Sequence, residues 1–114
     1  MKILIILNDP PYGTERSYNR LRLAKSLAAE KAEVTLFLLS DAVSCARQEQ
    51  QVPEGFYNIE LMLKSVLRNG KVLLCGACLN ARGIRDEDPV QGVERIIMQA
   101  LAEQTLAADK VLVL

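Results

Sequence analysis

Met1-Lys-Ile-Leu-Ile-Ile-Leu7, stopped at once by Asn8-Asp9-Pro10-Pro11, decides the reading of the chain. Ile3 to Leu7 is an unbroken apolar run without polar alternation, so it reads as a strand covered on both faces, as strands of parallel sheets are. Two prolines and Gly13 mark residues 8–13 as a loop. Thr14 can cap a helix there and Glu15 suits its positive end. Tyr18, Leu21, Ala24, Leu27 and Ala28 share one face of that helix, over roughly residues 14–30.

The same alternation continues outward. Glu33 to Leu39 is a second apolar strand, and Ser40-Asp41 can cap a short helix through about Arg47. Residues 48–57 hold Pro53 and Gly55 and read as an exposed loop. Asn58 caps a helix in which Ile59, Met62, Leu63, Val66 and Leu67 fall at helical spacing, with Asn69-Gly70 ending it. Lys71 to Leu74 is the third strand. Residues 84–92 look irregular, with Pro89 and Gly92. Ile96 to Ala107 reads as a helix burying Ile97, Ala100 and Leu101; an earlier start near Pro89, or a short strand near Val93, is the other option. Lys110 to Leu114 is the closing strand. Strand–helix alternation of this kind predicts an α/β fold around a doubly wound, mainly parallel sheet of four to five strands, as one domain over residues 1–114. Right-handed crossovers then bring the loops at 8–13, 40–46 and 75–83 to one rim, where ligands collect in such sheets.

Composition narrows the function classes. Of 114 residues, half are apolar, and 14 basic side chains balance 14 acidic ones. Such a chain has no basic field for nucleic acid or an anionic membrane surface, and little repulsion between its own copies. The first apolar run is too short for a signal peptide or a bilayer span, so the expected compartment is cytoplasmic. There is no histidine, which removes the commonest general base and zinc ligand. The three cysteines are an odd number, and a reducing cytosol disfavours a disulfide framework. Neither a metal nor a cofactor is expected.

Chemistry is sought in Cys75-Gly76-Ala77-Cys78, where the third strand ends. The spacing is that of a thioredoxin-type redox pair, and a thiolate needs a cation or a helix N-terminus to lower its pKa. Arg82 and Arg85 are the cations in reach by sequence. The plain alternative is packing, since free cysteine behaves as a small hydrophobe and Cys75 continues the run Val72-Leu73-Leu74. Asn8, Asp9, Tyr12 and Gly13 form a loop running into a helix, which can cradle an anion but lacks the glycine spacing of a nucleotide site. Asp41 reads as a cap, or as a hydrogen-bond acceptor near the thiols. Cys45 reads as core, and Arg16, Arg20 and Arg22 as a solvated face or an oligomer contact.

Taken together, several of these pieces resemble the DsrE-like sulfur-relay proteins, and among them the YchN group. They are Asn8 with Pro11-Tyr12-Gly13, Leu21-Arg22-Leu23-Ala24, Leu39-Ser40-Asp41-Ala42-Val43, Tyr57-Asn58-Ile59, Cys75-x-x-Cys78 with Arg82-Gly83-Ile84, and Ala108-Asp109-Lys110-Val111-Leu112. The resemblance implies a flavodoxin-like three-layer α/β/α subunit that assembles as a homotrimer or homohexamer. It implies sulfur transfer through a cysteine persulfide, with donor and acceptor proteins as partners. The cysteine after the third strand and upstream of an Arg-Gly pair corresponds to Cys75, and Cys78 to a second cysteine of the YchN group. On that resemblance Cys75 carries the sulfur, Cys78 resolves it, and Arg82 with nearby backbone amides stabilises the thiolate. Asn8, Asp9, Tyr12, Gly13 and Asp41 complete the expected rim.

Overall fold

The computed structural model describes residues 1–114. Its strands are β1 (Lys2–Leu7), β2 (Glu33–Leu38), β3 (Lys71–Cys75), β4 (Glu94–Ile96) and β5 (Lys110–Val113). They form one five-stranded sheet in the order β4-β3-β2-β1-β5, with every pairing parallel. Its helices are α1 (Arg16–Ala29), α2 (Ile59–Leu67), α3 (Gly76–Ala81) and α4 (Met98–Ala107), and a 3-10 turn spans Ser40–Ala46. The chain steps in one direction from β1 to β4 and then returns across the sheet to β5. Right-handed connections therefore put α1 and α2 on one face and α4 on the other. The strand order differs from the 2-1-3-4-5 of flavodoxin itself, so the likeness lies in the layers and the hand of the connections.

The apolar runs are explained by this placement. Ile5, Leu36 and Leu38 are fully buried, and Leu4, Leu7, Phe37, Val72 and Leu74 nearly so. Strands β1, β2 and β3 carry helices or turns over both faces, and alternation would have put polar groups into the core. Gly70, just before β3, is needed for a close approach: a Cβ there would lie 2.5 Å from the Val34 carbonyl oxygen. Its role is therefore to let β3 enter beside β2, which a C-terminal helix signal alone does not convey.

Three local expectations change. First, α1 begins at Arg16 with Glu15 in the cap position, and neither Glu15 nor Thr14 supplies a normal side-chain cap. The Thr14 hydroxyl is 3.4 Å from the Arg16 N–H, at an exposed spot. The turn is held instead by buried Ser17, whose hydroxyl donates to the Asp9 carbonyl at 2.9 Å. Second, the segment read as one helix from Ile96 divides into β4 and α4, so the short-strand option near Val93 holds. Third, of the residues expected to be buried there, only Leu101 is, while Ile97 is 70% exposed. Ile97 stands just past an edge strand with no further strand to cover it.

Candidate functional site

β3 delivers Cys75 to the carboxyl rim of the sheet, opposite Ile96 of β4. Cys75 is extended while Gly76 turns at once into α3, so its side chain sits in the cap position, and its Sγ accepts the Cys78 N–H at 3.3 Å. That sequence of strand, cysteine and short helix places the second sulfur one helical turn further on. Cys78 Sγ in turn accepts the Ser40 N–H at 3.2 Å, across from the 3-10 turn that follows β2. Both thiols are free. Cys75 is buried and Cys78 half-buried. Burial pushes the Cys75 thiol up, and the adjoining Cys78 side chain adds to this, against the pull of the Cys78 and Ala77 amides.

Arg82 follows α3 and reaches back. Its Nε and Nη2 donate to Asp41 Oδ1 at 3.2 and 2.8 Å, and its Nη1 donates to the Cys78 carbonyl at 3.2 Å. The guanidinium thus meets Cys78 through the main chain, and its charge is matched by Asp41. Of the two roles expected for Asp41, the 3-10 turn uses no side-chain cap, and the carboxylate instead accepts from Arg82 beside the thiols and ties that turn to α3. The Ser40 hydroxyl is 3.5 Å from Asn8 Oδ1, which brings the loop after β1 to the same spot.

The remaining expected rim residues go elsewhere. Asp9 pairs with Arg16 at 3.6 Å, and its carbonyl accepts from Ser17 and from the Cys45 thiol. The Tyr12 hydroxyl donates to Gln50 Oε1 at 2.6 Å and accepts the Ile59 N–H at 3.1 Å, so it secures the start of α2 together with the Asn58 cap. Its ring stacks on Tyr57, which stacks on Tyr18. Gly13 turns the exposed loop at φ 103°. Cys45, read as core, is fully buried, and burial pushes its thiol up to about 12.

Two residues not expected at the site join it. Ser40 was read only as a cap, and nothing local announces that its amide serves a sulfur 38 positions away. Arg95 lies across Gly76, where a Cβ would sit 3.1 Å from its Nε, and its Nη2 donates to Asn80 at 2.7 Å. With Ile97 and Met98 it borders a groove of about 610 Å³ that reaches Cys75. No group of three or more His, Cys, Asp or Glu converges as a metal site. No helix is long and apolar enough to cross a membrane.

Matched against protein families, residues 1–114 fit the model described as the DsrE/DsrF-like family. The chain belongs to that family. It is 43% identical over 114 residues to YchN of Escherichia coli strain K12, covering 97% of both chains. The crystal structure of the E. coli ychN protein superposes with a TM-score of 0.92 at 42% identity, over 100% of this chain and 99% of that one. MJ0989 of Methanocaldococcus jannaschii, an uncharacterized protein, is 35% identical over 111 residues, covering 97% of each. MTH1491 of Methanobacterium thermoautotrophicum, a protein of unknown function, shares the fold, with a TM-score of 0.74 at 15% identity.

Proposed function

We propose that this DsrE/DsrF-like subunit is a sulfur carrier that holds sulfane sulfur on its Cys75/Cys78 dithiol, with Cys75 the carrying sulfur. The single observation behind the reading is the arrangement of the pair: two free thiols at the carboxyl rim, each accepting a backbone N–H at 3.3 and 3.2 Å. Backbone donors stabilise a thiolate without a histidine, and this chain has none. Thiolate attack on sulfur needs no other acid or base when the attacking pKa lies near ambient pH. Loading is an exchange: the protein thiolate bonds to the outer sulfur of a donor persulfide, the donor's S–S bond breaks, and the donor leaves as its thiolate. Delivery is the same step run toward an acceptor thiol, so no oxidant is consumed. The working compartment would be the reducing cytoplasm, where both thiols stay available.

The test is intact-protein mass spectrometry after incubation with a persulfide donor, followed by peptide mapping. The expected result is one added sulfur, removable by a thiol, on the peptide holding Cys75 and Cys78. A folded protein that gains no sulfur there would end the carrier reading.

A dithiol redox switch is the second reading, favoured by the contact of Cys75 Sγ with the Cys78 amide, which puts the two residues side by side. A measured reduction potential separates the readings, because a pair that stays reduced at every cytosolic poise cannot switch. We further propose self-assembly through the α4 face, where Ile97 at the start of the helix, Met98 and Leu106 are 61–88% exposed. Apolar side chains grouped in this way mark protein contacts. Sedimentation of the wild type against Met98→Glu and Leu106→Glu tests it, with a smaller species expected for the variants.

A further inference from the structure

The backbone at Ser40 has a feature that sulfur carriage by itself does not require. Ser40 adopts the left-handed conformation, φ 54°, which side chains other than glycine rarely take. Lys31 and Glu49 do the same, but both are exposed. Ser40 is half-buried at the rim, and non-glycine strain persists where surrounding contacts enforce it. The contacts that enforce it are identifiable. Arg82 grips Asp41, the next residue, through Nε and Nη2, and the same guanidinium holds the Cys78 carbonyl. The residue after the donor and the residue bearing the acceptor are therefore tied to one planar group. Asn8 contacts the Ser40 hydroxyl from the other side. The result is the N–H of Ser40 directed at Cys78 Sγ, 3.2 Å away.

We propose that Ser40 is a positioning residue whose main-chain N–H, set by the Asp41–Arg82 pair, makes Cys78 the attacking sulfur of the dithiol. This rests on the dithiol site of the carrier reading and assigns the order of events within it. Cys78 thiolate bonds to the outer sulfur of a small or protein-borne persulfide, the donor S–S bond breaks, and the donor thiolate leaves with the electron pair. Cys75, alongside, then takes the sulfur by the same exchange, which returns the Cys78 thiolate. Buried Cys75 suits the holding role, because its thiol is pushed up by burial and by Cys78. The charged and titratable groups on the elements packed around the pair are Asp41 and Arg82, which neutralise each other, Asp9 in the loop after β1, and Arg95 beyond Gly76.

The experiment is alkylation of the wild-type protein by limiting iodoacetamide across pH 5 to 10 (roughly the span in which cysteine thiols titrate), with the labelled cysteine mapped by mass spectrometry. Cys78 should label before Cys75. Arg82→Gln releases the clamp without touching the main chain and should move the Cys78 profile toward higher pH, slowing labelling below its midpoint by about tenfold per unit moved. Arg82→Lys restores the charge but not the fork, so recovery should be partial. Folded Arg82→Gln protein with an unmoved Cys78 profile overturns the proposal, as does labelling of Cys75 first. No sulfur donor is present, so such a failure leaves the carrier reading standing. Loss of sulfur uptake with the alkylation order intact would instead count against the carrier reading.

Discussion

The 3-10 turn after β2 buries Cys45 completely, whereas the β3–α3 junction, packed against the same turn, leaves Cys78 half-buried. The Cys45 thiol meets the Asp9 carbonyl at 3.9 Å with the Ser17 hydroxyl beside it, and desolvation outweighs the Ser17 contact and pushes the thiol up to about 12. Cys75 and Cys78 meet backbone N–H groups instead. A donor facing a thiol favours the thiolate, and burial opposes it, as it does at both Cys45 and Cys75. Neighbouring regions of one rim thus turn the same side chain into packing material in one place and a candidate nucleophile in the other. Burial makes the difference: it outweighs the Ser17 hydroxyl at Cys45, whereas Cys78 is half-exposed at the rim.

The comparison would break most sharply on sulfur uptake. Cys75→Ala should abolish stable persulfide formation, while Cys45→Ala should keep it; loss in both variants, each folded by circular dichroism, would erase the distinction. Reactivity is the next largest effect. In native protein near neutral pH, a maleimide should modify half-exposed Cys78 at least about a thousandfold faster than Cys45, whose access waits on opening of the core. Urea midpoints then invert the order. Cys45→Ala should cost about 1 kcal/mol through a small buried cavity, and Cys78→Ala about half that, because its site is partly open to water.

The smallest effect lies in the scaffold beside Cys45. Gln50 donates from its side chain to the Cys45 carbonyl and from its main chain to Glu60 Oε1 at 2.9 Å, and Lys64 is 3.2 Å from Glu60. Burial works against the Glu60 carboxylate, yet the Gln50 amide and Lys64 outweigh it and leave its pKa below the usual range. A carboxylate lowered on folding adds stability above its unfolded pKa, and this is lost as pH falls through the folded value. Glu60→Gln should therefore cost up to about 1 kcal/mol at neutral pH and nothing in strong acid. Paired urea titrations at the two pH values measure it, and an equal cost at both would remove the carboxylate from the account.

Much of the fold was legible because it is written in continuous apolar runs. Ile3–Leu7, Val34–Leu39 and Val72–Leu74 could be read as buried strands without knowing their neighbours, and Asn58 announced its helix by capping it. Ile97 misled because an apolar residue at an open edge looks the same in sequence as one in the core. Within the site, Cys75, Cys78, Asp41 and Arg82 were legible as chemistry-bearing residues near one rim. Their pairing was not: Arg82 was expected at a sulfur and instead holds Asp41 and a carbonyl. Tyr12, expected at the rim, spends its hydroxyl on Gln50 and the start of α2.

The sequence by itself determined the parallel α/β architecture, the place of the two thiols at a strand end, and the absence of any histidine to activate them, because hydrophobic periodicity and residue identity are local properties. Only the tertiary structure decided which groups the sulfurs face. Ser40 lies 38 residues from Cys78 and acts through its main chain, which every residue but proline possesses. An N–H donor of that kind carries no side-chain signature, and it lies where two other segments, the Asn8 loop and the Arg82 end of α3, meet the turn.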